Sequence, residues 1–403
     1  MTRQKDAPRR HCMIVFAMYP LGETRVQREA EALIKRGYEV DVICVRMPGE
    51  SAADHYKGVR VFREEYSFPL RIAKSGGLGE KFLNYLRFSV SAAIRVSQLH
   101  RQQSYDTIQT HNLPDFLVFS TFIPKLGGVP IILDLHDLMP EFYAGRFGQK
   151  KAWLLRLIRA QERLACRFAD HVITVSEHWR QALIQRGVPP DKCSVVMNVA
   201  DDNIFHPLED DSRRPSDHAG FRLIYHGVVV ERYGLDLAVR AVAQVRQDIP
   251  NIHLTLMGIG DYIPTLSQMI QDLGLNDHVT IDKLHLAEEL PGIIRTADLG
   301  IVPYRNDVFT DGLLPTKLME YAALGVPAIA ARTTAIQAYF GDTMAEFFEP
   351  GNVDDLARCI RMLYNNPARL RELAQGCEKF NQRYNWAKVG AEYVALIERL
   401  GDR

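Results

Sequence analysis

The 403-residue chain has only six cysteines, at positions 12, 44, 166, 193, 359 and 377, with no C-x-x-C and no histidine pair at zinc spacing. A disulfide framework and a structural zinc are thereby excluded, and a reduced cytosolic protein is expected. No run of eighteen apolar residues exists. The best stretch, 116–133, is broken by Lys125, Pro124, Gly127, Gly128 and Pro130, so no segment is expected to span a membrane. The short apolar run 11–18 lacks the length and the small-residue ending of a signal peptide. Net charge is missing too: 49 basic residues stand against 49 acidic ones, which leaves no overall footprint for nucleic acid. Gly258-Ile-Gly260 is not completed to G-x-G-x-x-G, because position 263 is Ile, so a dinucleotide fingerprint is absent. Ser176 has no G-x-S-x-G around it and reads as a helix cap rather than a nucleophile.

What the sequence does contain is ordinary material for packed cores: 47% hydrophobic and 24% charged residues, in a length that suits two or three domains. The halves differ in charge. Residues 1–190 carry a net +9 and the remainder −9, an asymmetry that suits an anionic partner for the N-terminal half or reflects two differently solvated surfaces.

Short Val/Ile-rich runs alternate with helical patterns, which specifies parallel sheets covered on both faces. Strands are expected at 13–18, 39–45, 59–63, 107–110, 131–135 and 171–175, then at 223–229, 253–257, 279–282, 299–303, 327–330 and 345–348. Among the helices between them are 25–36, 235–247, 314–324 and 353–364. The polar stretch 207–220 (PLEDDSRRPSDHAG) has no apolar period and reads as a linker. The expected division is 1–206, the linker, a second α/β domain at 221–384, and a terminal segment 385–403. A helix over 81–101, with Phe82, Tyr85, Leu86, Ser89, Ala93 and Val96 on one stripe, reads as core-facing. Its first turns and the preceding residues, 66–87, mix Phe68, Leu70, Ile72, Phe82 and Leu83 with Arg71, Lys74, Lys81 and Arg87 and form the stretch best suited to an anionic membrane surface.

The most informative segment is 311–331 (DGLLPTKLMEYAALGVPAIAA). Pro315 suits a helix start and Gly325 its end. Lys317 and Glu320 are the only charges between Asp311 and Arg332 and, three apart, share one face of an otherwise apolar helix. Two readings stand: a mutual ion pair, or Lys317 joining the helix N-terminus at a phosphate while Glu320 accepts from sugar hydroxyls. In the first half, His136 and Asp137 follow an apolar strand and His111 ends another, which puts them at strand carboxyl ends where ligands collect.

This segment resembles the donor-binding motif of retaining GT-B glycosyltransferases of family 4, in its P-T-K-L-x-E-Y-x-x-x-G-x-P version. The resemblance extends to YPLGETRVQREAEALIKRGYEVDVI, DLHDLMPE, VITVSE, NVADDNIFHP, YHGVVVERYGLDLAVRA, LMGIGD and ADLGIVPY. It implies the α/β GT-B fold, two Rossmann-like βαβ domains facing each other across a cleft, with the terminal helix packing back on the N-terminal domain. Glu320 matches the acid that contacts the ribose of the donor. The position of the usual first acid is Gly312, with Asp311 one residue off, so backbone from Gly312, Leu313 and Leu314, with Thr316, is expected to serve the donor there. The usual Arg and Lys of the phosphate site are replaced by Val228 and Tyr233, which leaves Arg232 and Lys317 as the cations for the diphosphate. Base recognition falls to backbone near Leu284. His136 matches the histidine that contacts the transferred sugar, with His111, Asp137 and the loop glycine Gly22 on the acceptor or sugar side.

The implied activity is transfer of a sugar, with retention, from a nucleotide diphosphate sugar, UDP favoured, to a hydroxyl of a glycan or lipid-linked acceptor in polysaccharide or glycan assembly. The partners expected are that donor and acceptor and an anionic membrane surface, with the protein peripheral at the inner face of the membrane and no nucleic acid involved. No D-x-D occurs, so no catalytic metal and no cofactor are expected. A nucleotide-sugar epimerase of the same fold and a non-catalytic sugar-binding protein are the alternatives.

Overall fold

The computed structural model describes residues 8–20, 23–65, 78–147, 152–206 and 220–402. Gly22, the basic and apolar residues of 66–77, and the linker 207–219 lie outside the described residues. The chain forms two units, Met1–Asn198 with Lys388–Arg403, and Val199–Ala387. Residues 199–206 therefore go with the second unit. There the Arg295 guanidinium donates to the His206 carbonyl, and the Ala387 N–H donates to Asp202 Oδ2 at 2.9 Å.

Unit 1 is built on strands β1 (Arg10–Val15), β2 (Glu39–Val45), β3 (Ala53–Tyr56), β4 (Val59–Glu64), β5 (Thr107–His111), β6 (Ile131–Leu135), β7 (His171–Thr174) and β8 (Cys193–Val195). Their order in the sheet is β3-β4-β2-β1-β5-β6-β7-β8, parallel except for the β3–β4 hairpin. Helices α1 (Thr24–Lys35), α2 (Leu78–Gln102), α3 (Phe122–Leu126), α4 (Met139–Phe147), α5 (Ala152–Phe168) and α6 (Glu177–Gln185) connect them. Unit 2 carries β9 (Phe221–Val228), β10 (Ile252–Ile259), β11 (Val279–Asp282), β12 (Leu299–Val302), β13 (Ala328–Ala331) and β14 (Glu346–Phe348), in the order β11-β10-β9-β12-β13-β14. Its helices are α7 (Leu235–Val245), α8 (Ile263–Asp272), α9 (Leu290–Ile294), α10 (Thr316–Leu324), α11 (Thr334–Tyr339), α12 (Val353–Tyr364) and α13 (Pro367–Arg383). A last helix, α14 (Trp386–Gly401), joins unit 1. In each sheet the direction of chain travel reverses beside the first strand, β1 or β9, and such reversals leave a crevice at the strand carboxyl ends.

Several boundaries move, each for a physical reason. β1 begins at Arg10, three residues before the start expected at 13, because its polar residues are satisfied inside: Arg10 pairs with Asp41 at 3.1 Å and His11 Nδ1 meets Thr107 Oγ1 at 2.7 Å. β3 and β8 were not expected; both are short edge strands, β3 solvent-exposed, with little apolar signal. α10 begins at Thr316 rather than 314, since Pro315 stands before it in an extended conformation and forces Leu314 out of the helix. Gly325 closes that helix at φ 63°. Ser176 is indeed a cap, accepting from the Trp179 N–H at 3.2 Å.

The stripe expected to face the core on α2 does so only in part, with Ser89 and Val96 buried and Tyr85 and Ala93 half-buried. Phe88, Ala92, Val96 and Leu99 are buried, whereas Phe82 and Leu86 are exposed. No helix among the described residues is long and apolar enough to cross a membrane.

α14 is tied into unit 1 by Tyr393, whose buried hydroxyl donates to Gln109 Oε1 on β5 at 2.7 Å. Tyr393→Phe strands that amide oxygen in the core and should lower stability by about 1–3 kcal/mol, read as an earlier urea midpoint for unit 1. An unshifted midpoint would show that the hydroxyl contributes nothing to holding α14.

Candidate active site

In unit 1 the strand carboxyl ends carry a buried polar cluster centred on Asp134. This carboxylate sits in the otherwise apolar β6 with no solvent exposure, a position that is costly for a charge unless it is paired. The Arg25 guanidinium of α1 pairs with both of its oxygens, Nε to Oδ2 at 3.0 Å and Nη2 to Oδ1 at 3.1 Å. Gln109 of β5 donates to Asp134 at 3.1 Å and to Glu29 at 2.8 Å, and Arg25 also reaches Glu29 at 3.2 Å. Burial would raise the Asp134 pKa, but Arg25 and the two neighbouring histidines hold it well below the usual carboxylate range.

Two of the expected histidines converge here. His111 Nδ1 lies 3.3 Å from Asp134 and 3.1 Å from His136 Nε2, and His136 Nε2 lies 3.5 Å from the same carboxylate. Burial pushes His111 down to about 4 and keeps it neutral. Burial also works against the charged form of His136, but Asp134 outweighs it, so this pKa is raised. His136 is the outward-facing member of the pair, 21% exposed, while His111 is fully enclosed. The loop that presents it is clamped by Asn112, whose amide accepts from the His136 N–H at 2.8 Å and donates to the Asp137 carbonyl at 2.6 Å. Glu23, at the start of α1, adds a further negative charge facing His136.

The ligand atoms of His111, Asp134 and His136 lie within 4.8 Å of one another, close enough to surround a metal ion. Arg25 already places a fixed positive charge on both oxygens of that carboxylate, which opposes a cation there, so the trio is better suited to orienting and protonating His136.

In unit 2 the site forms where β9, β12 and α10 meet. Gly227 and Gly258 face each other at the ends of β9 and β10. A Cβ on Gly258 would lie 1.7 Å from the Gly227 carbonyl oxygen, and Gly258 has φ +147°, so only glycine lets the two backbones close up. Gly227 in turn leaves room for Lys317, whose Cε would lie 3.4 Å from a Cβ there. Lys317 is buried, its Nζ donating to the Tyr304 hydroxyl at 2.8 Å and lying 5.0–5.4 Å from the rings of Tyr225, Tyr233 and Tyr304. Tyr233 stacks on Tyr304 with ring centres 4.5 Å apart. Burial lowers the Lys317 pKa to about 8, partly offset by Glu320.

Glu320 is mostly buried one turn along, 3.2 Å from His226 Nε2 of β9. Burial, with Lys317 nearby, pushes His226 down to about 3 and keeps it neutral. Lys317 and Glu320 thus share a face, as the spacing requires, but it is an interior face lined by tyrosines rather than a solvated stripe.

The other expected residues fall around this centre. Arg232, in the turn Glu231–Tyr233, lies half-buried with its guanidinium over the Phe309 ring at 5.2 Å. Gly312 and Leu313 belong to a turn in which their own N–H groups donate to the Phe309 and Thr310 carbonyls at 3.2 and 3.3 Å, so neither donor points away from the protein. Asp311 accepts from the Thr334 N–H at 2.8 Å and anchors the start of α11, which explains why it does not take the place of an acid one residue on. Leu314 is buried, Thr316 opens α10, and Leu284 is exposed in the loop after β11.

Sequence reasoning missed Arg25, Glu29, Gln109 and Asp134 in unit 1, and His226 and Tyr304 in unit 2. The available signal was polarity in the wrong place: Asp134 and Gln109 stand inside runs that periodicity assigns to buried parallel strands, where a polar side chain requires a partner.

Because folding raises the His136 pKa, its pairing with Asp134 stabilises the fold fully below about pH 6.5 and loses that contribution as pH rises through the folded-state value. In Asp134→Asn, burial and the Arg25 charge oppose protonation of His136, with Glu23 alone on the other side. The His136 ring should titrate above its ordinary 6.5 in the wild type and below it in the variant, read from imidazole proton shifts in NMR. Superimposable titrations would mean that Asp134 does not set the charge on His136.

Comparison with known proteins agrees with this architecture. Residues 22–198 match the glycosyl transferase 4-like domain and residues 209–382 match the glycosyl transferases group 1 family. The chain is 24% identical over 409 residues to the D-inositol 3-phosphate glycosyltransferase of Arthrobacter sp., covering 94% of this chain and 90% of that one. It is 26% identical over 266 residues to the GDP-mannose-dependent alpha-(1-6)-phosphatidylinositol monomannoside mannosyltransferase of Mycolicibacterium smegmatis, covering 63% of this chain and 69% of that one. In fold it is similar to the sucrose-phosphate synthase of Thermosynechococcus elongatus, with a TM-score of 0.77 at 19% identity, covering 97% of this chain and 99% of that one. Anabaena HepE in complex with UDP superposes with a TM-score of 0.69 at 18% identity, covering 97% and 100%. The two units are the two halves of a GT-B fold, and the chain belongs to the group 1 glycosyltransferases.

Proposed function

We propose that the protein transfers a sugar from a nucleotide diphosphate sugar to a hydroxyl of a glycan or lipid-linked acceptor in polysaccharide or glycan assembly, with retention at the anomeric carbon and without a metal. The observation that supports this most is Lys317: a buried ammonium with a neutral phenol as its hydrogen-bond partner, beside a glycine-lined strand end. Lys317 and Arg232 neutralise the charge that builds on the leaving diphosphate, an interaction stronger in the transition state than in the ground state. Glu320 accepts from the ribose hydroxyls, with His226 as its neutral neighbour. Backbone near Leu284 reads the base, and the turn at Gly312, Leu313 and Leu314 with Thr316 borders the donor.

On the other unit His136 is the sugar-side group, assisted by His111 and Asp137. His136 in its charged form donates to an anionic or hydroxyl oxygen. UDP is the favoured nucleotide, which accords with the UDP complex of HepE, whereas the mannosyltransferase relative is named for GDP-mannose. All six cysteines are free and buried, which accords with action in the reducing cytoplasm.

Calorimetry with UDP and GDP, followed by turnover of the corresponding sugars, tests the donor site. Glu320→Ala should weaken nucleotide binding more than tenfold, about 1.4 kcal/mol, whereas Lys317→Met and Arg232→Ala should each lose most of kcat at saturating donor. Wild-type donor affinity should fall as pH passes about 8, where Lys317 discharges. Unchanged affinity in Glu320→Ala, or wild-type kcat in either cation variant, would remove that residue from the donor site.

Metal independence follows from letting side-chain cations carry the diphosphate charge. Sugar transfer should therefore persist in excess EDTA. Abolition that Mg²⁺ or Mn²⁺ reverses would show that an ion shares this work.

A further inference from the structure

Unit 1 leaves an unusually apolar face in solvent. α2 exposes Phe82, Leu86, Val90 and Ile94, one every four residues and so along a single stripe. The turn Asp115–Thr121 and α3 expose Phe119, Phe122, Ile123 and Leu126. α5 exposes Trp153, Leu157 and Leu164. These are not scattered. Phe82 meets Phe116 of the turn at 5.8 Å, and Phe119 and Phe122 meet Phe168 of α5 at 5.1 and 6.4 Å, so aromatic contacts join the three elements. With Leu83, they account for twelve of the nineteen large apolar side chains exposed among the described residues, and Leu126 and Trp153 are 74% and 68% exposed. Water-facing apolar surface of this extent marks a surface that something else covers.

Charge says what covers it. Arg156, Arg159, Arg163 and Arg167 recur on α5 at helical spacing, beside the Trp153, Leu157 and Leu164 stripe, and all four are exposed. α2 adds exposed Lys81, Arg87 and Arg101. Against these seven, Glu80 is the one exposed acid on α2 and α5 among the described residues. Glu162 is buried against Arg186 at 2.9 Å. An apolar centre with a basic margin repels a second copy of itself and matches an anionic lipid leaflet, whose acyl boundary takes the apolar side chains while its headgroups meet the arginines.

We infer that the face formed by α2, the Asp115–Thr121 turn with α3, and α5 docks unit 1 on an anionic membrane by shallow insertion. The stretch at 66–87 is thereby joined to the membrane surface through its described end, Lys81 to Arg87, with α3 and α5 as the larger share. The inference deepens the lipid-linked reading of the acceptor, but its test is separate: vesicle binding reads this face, and nucleotide calorimetry reads the donor site in unit 2.

The purified full-length protein is mixed with phosphatidylglycerol or phosphatidylcholine vesicles, and binding is followed by co-sedimentation and tryptophan emission. Binding is expected to phosphatidylglycerol only, with a blue shift, and with release in roughly 0.5 M salt as screening shortens the reach of the charges. Trp153→Phe should remove most of the blue shift while the protein still sediments with the vesicles, which places that side chain in the lipid. Phe122→Glu with Leu126→Glu, and separately Arg156→Gln with Arg159→Gln and Arg163→Gln, should each weaken vesicle binding at least tenfold and leave UDP affinity unchanged. Wild-type protein that ignores phosphatidylglycerol, or that binds both lipids equally, overturns the proposal. So does a dimer by light scattering that Leu126→Glu dissolves, since the face would then belong to a second copy.

Discussion

A carboxylate with no access to water cannot stay ionised unless the surrounding structure supplies charge and hydrogen bonds at fixed places. Asp134 makes that demand near the carboxyl end of β6, and unit 1 is arranged to meet it. Arg25 must come from the first turns of α1, Gln109 from the next strand, and Tyr393 from the last helix must hold Gln109 in turn. Removing any one partner leaves an unpaired charge or amide in the core, so the positions of α1, β5, β6 and α14 are coupled through a single side chain. The same carboxylate raises the basicity of His136 at the strand end. The stability of this unit and the charge on His136 therefore draw on one group.

Unit 2 handles buried charge differently. Lys317 has a phenol rather than a carboxylate as its direct partner, three tyrosine rings around it, and Glu320 one turn away. The arrangement stabilises an ammonium only partly, which is why burial still pulls its pKa downward. A site under-neutralised in this way gains more from an incoming anion than one already closed by an ion pair, because less of the existing pairing must be given up. Gly227 at the end of β9 completes the effect by leaving room beside Lys317 that a side chain would fill.

The alternation of strands and helices was legible because periodicity reports burial, and burial is what parallel strands share. Hence β2, β6, β11 and α12 match the expected spans residue for residue. Where polarity and burial diverge, the reading slipped: Arg10 and His11 stand before the strand expected at 13 and yet lie inside β1, satisfied by residues far along the chain. The α2 stripe held at Ser89 and Val96 and failed at Phe82 and Leu86 for the converse reason, since apolar residues that face solvent carry the same periodic signal as those that face a core. Lys317 and Glu320 could be singled out as lone charges on an apolar helix. Their neighbours could not, because His226 comes from β9 and Tyr304 from the segment just after β12, and Arg25 stands 109 positions from Asp134. Spacing along a chain carries no record of such distances.

Unit 1 is assembled from two separated stretches, with α14 arriving after all of unit 2. On the ribosome this sets an order of events. The eight-stranded sheet is synthesised first, yet Gln109, Arg9 and Arg36 wait for their partners Tyr393, Asp402 and Glu398. Unit 2 is contiguous and can fold while unit 1 still lacks its closing helix. The half whose sheet is made first therefore depends on a helix made after unit 2, and a change within α14 damages strands encoded far earlier, Gln109 standing 284 positions before Tyr393.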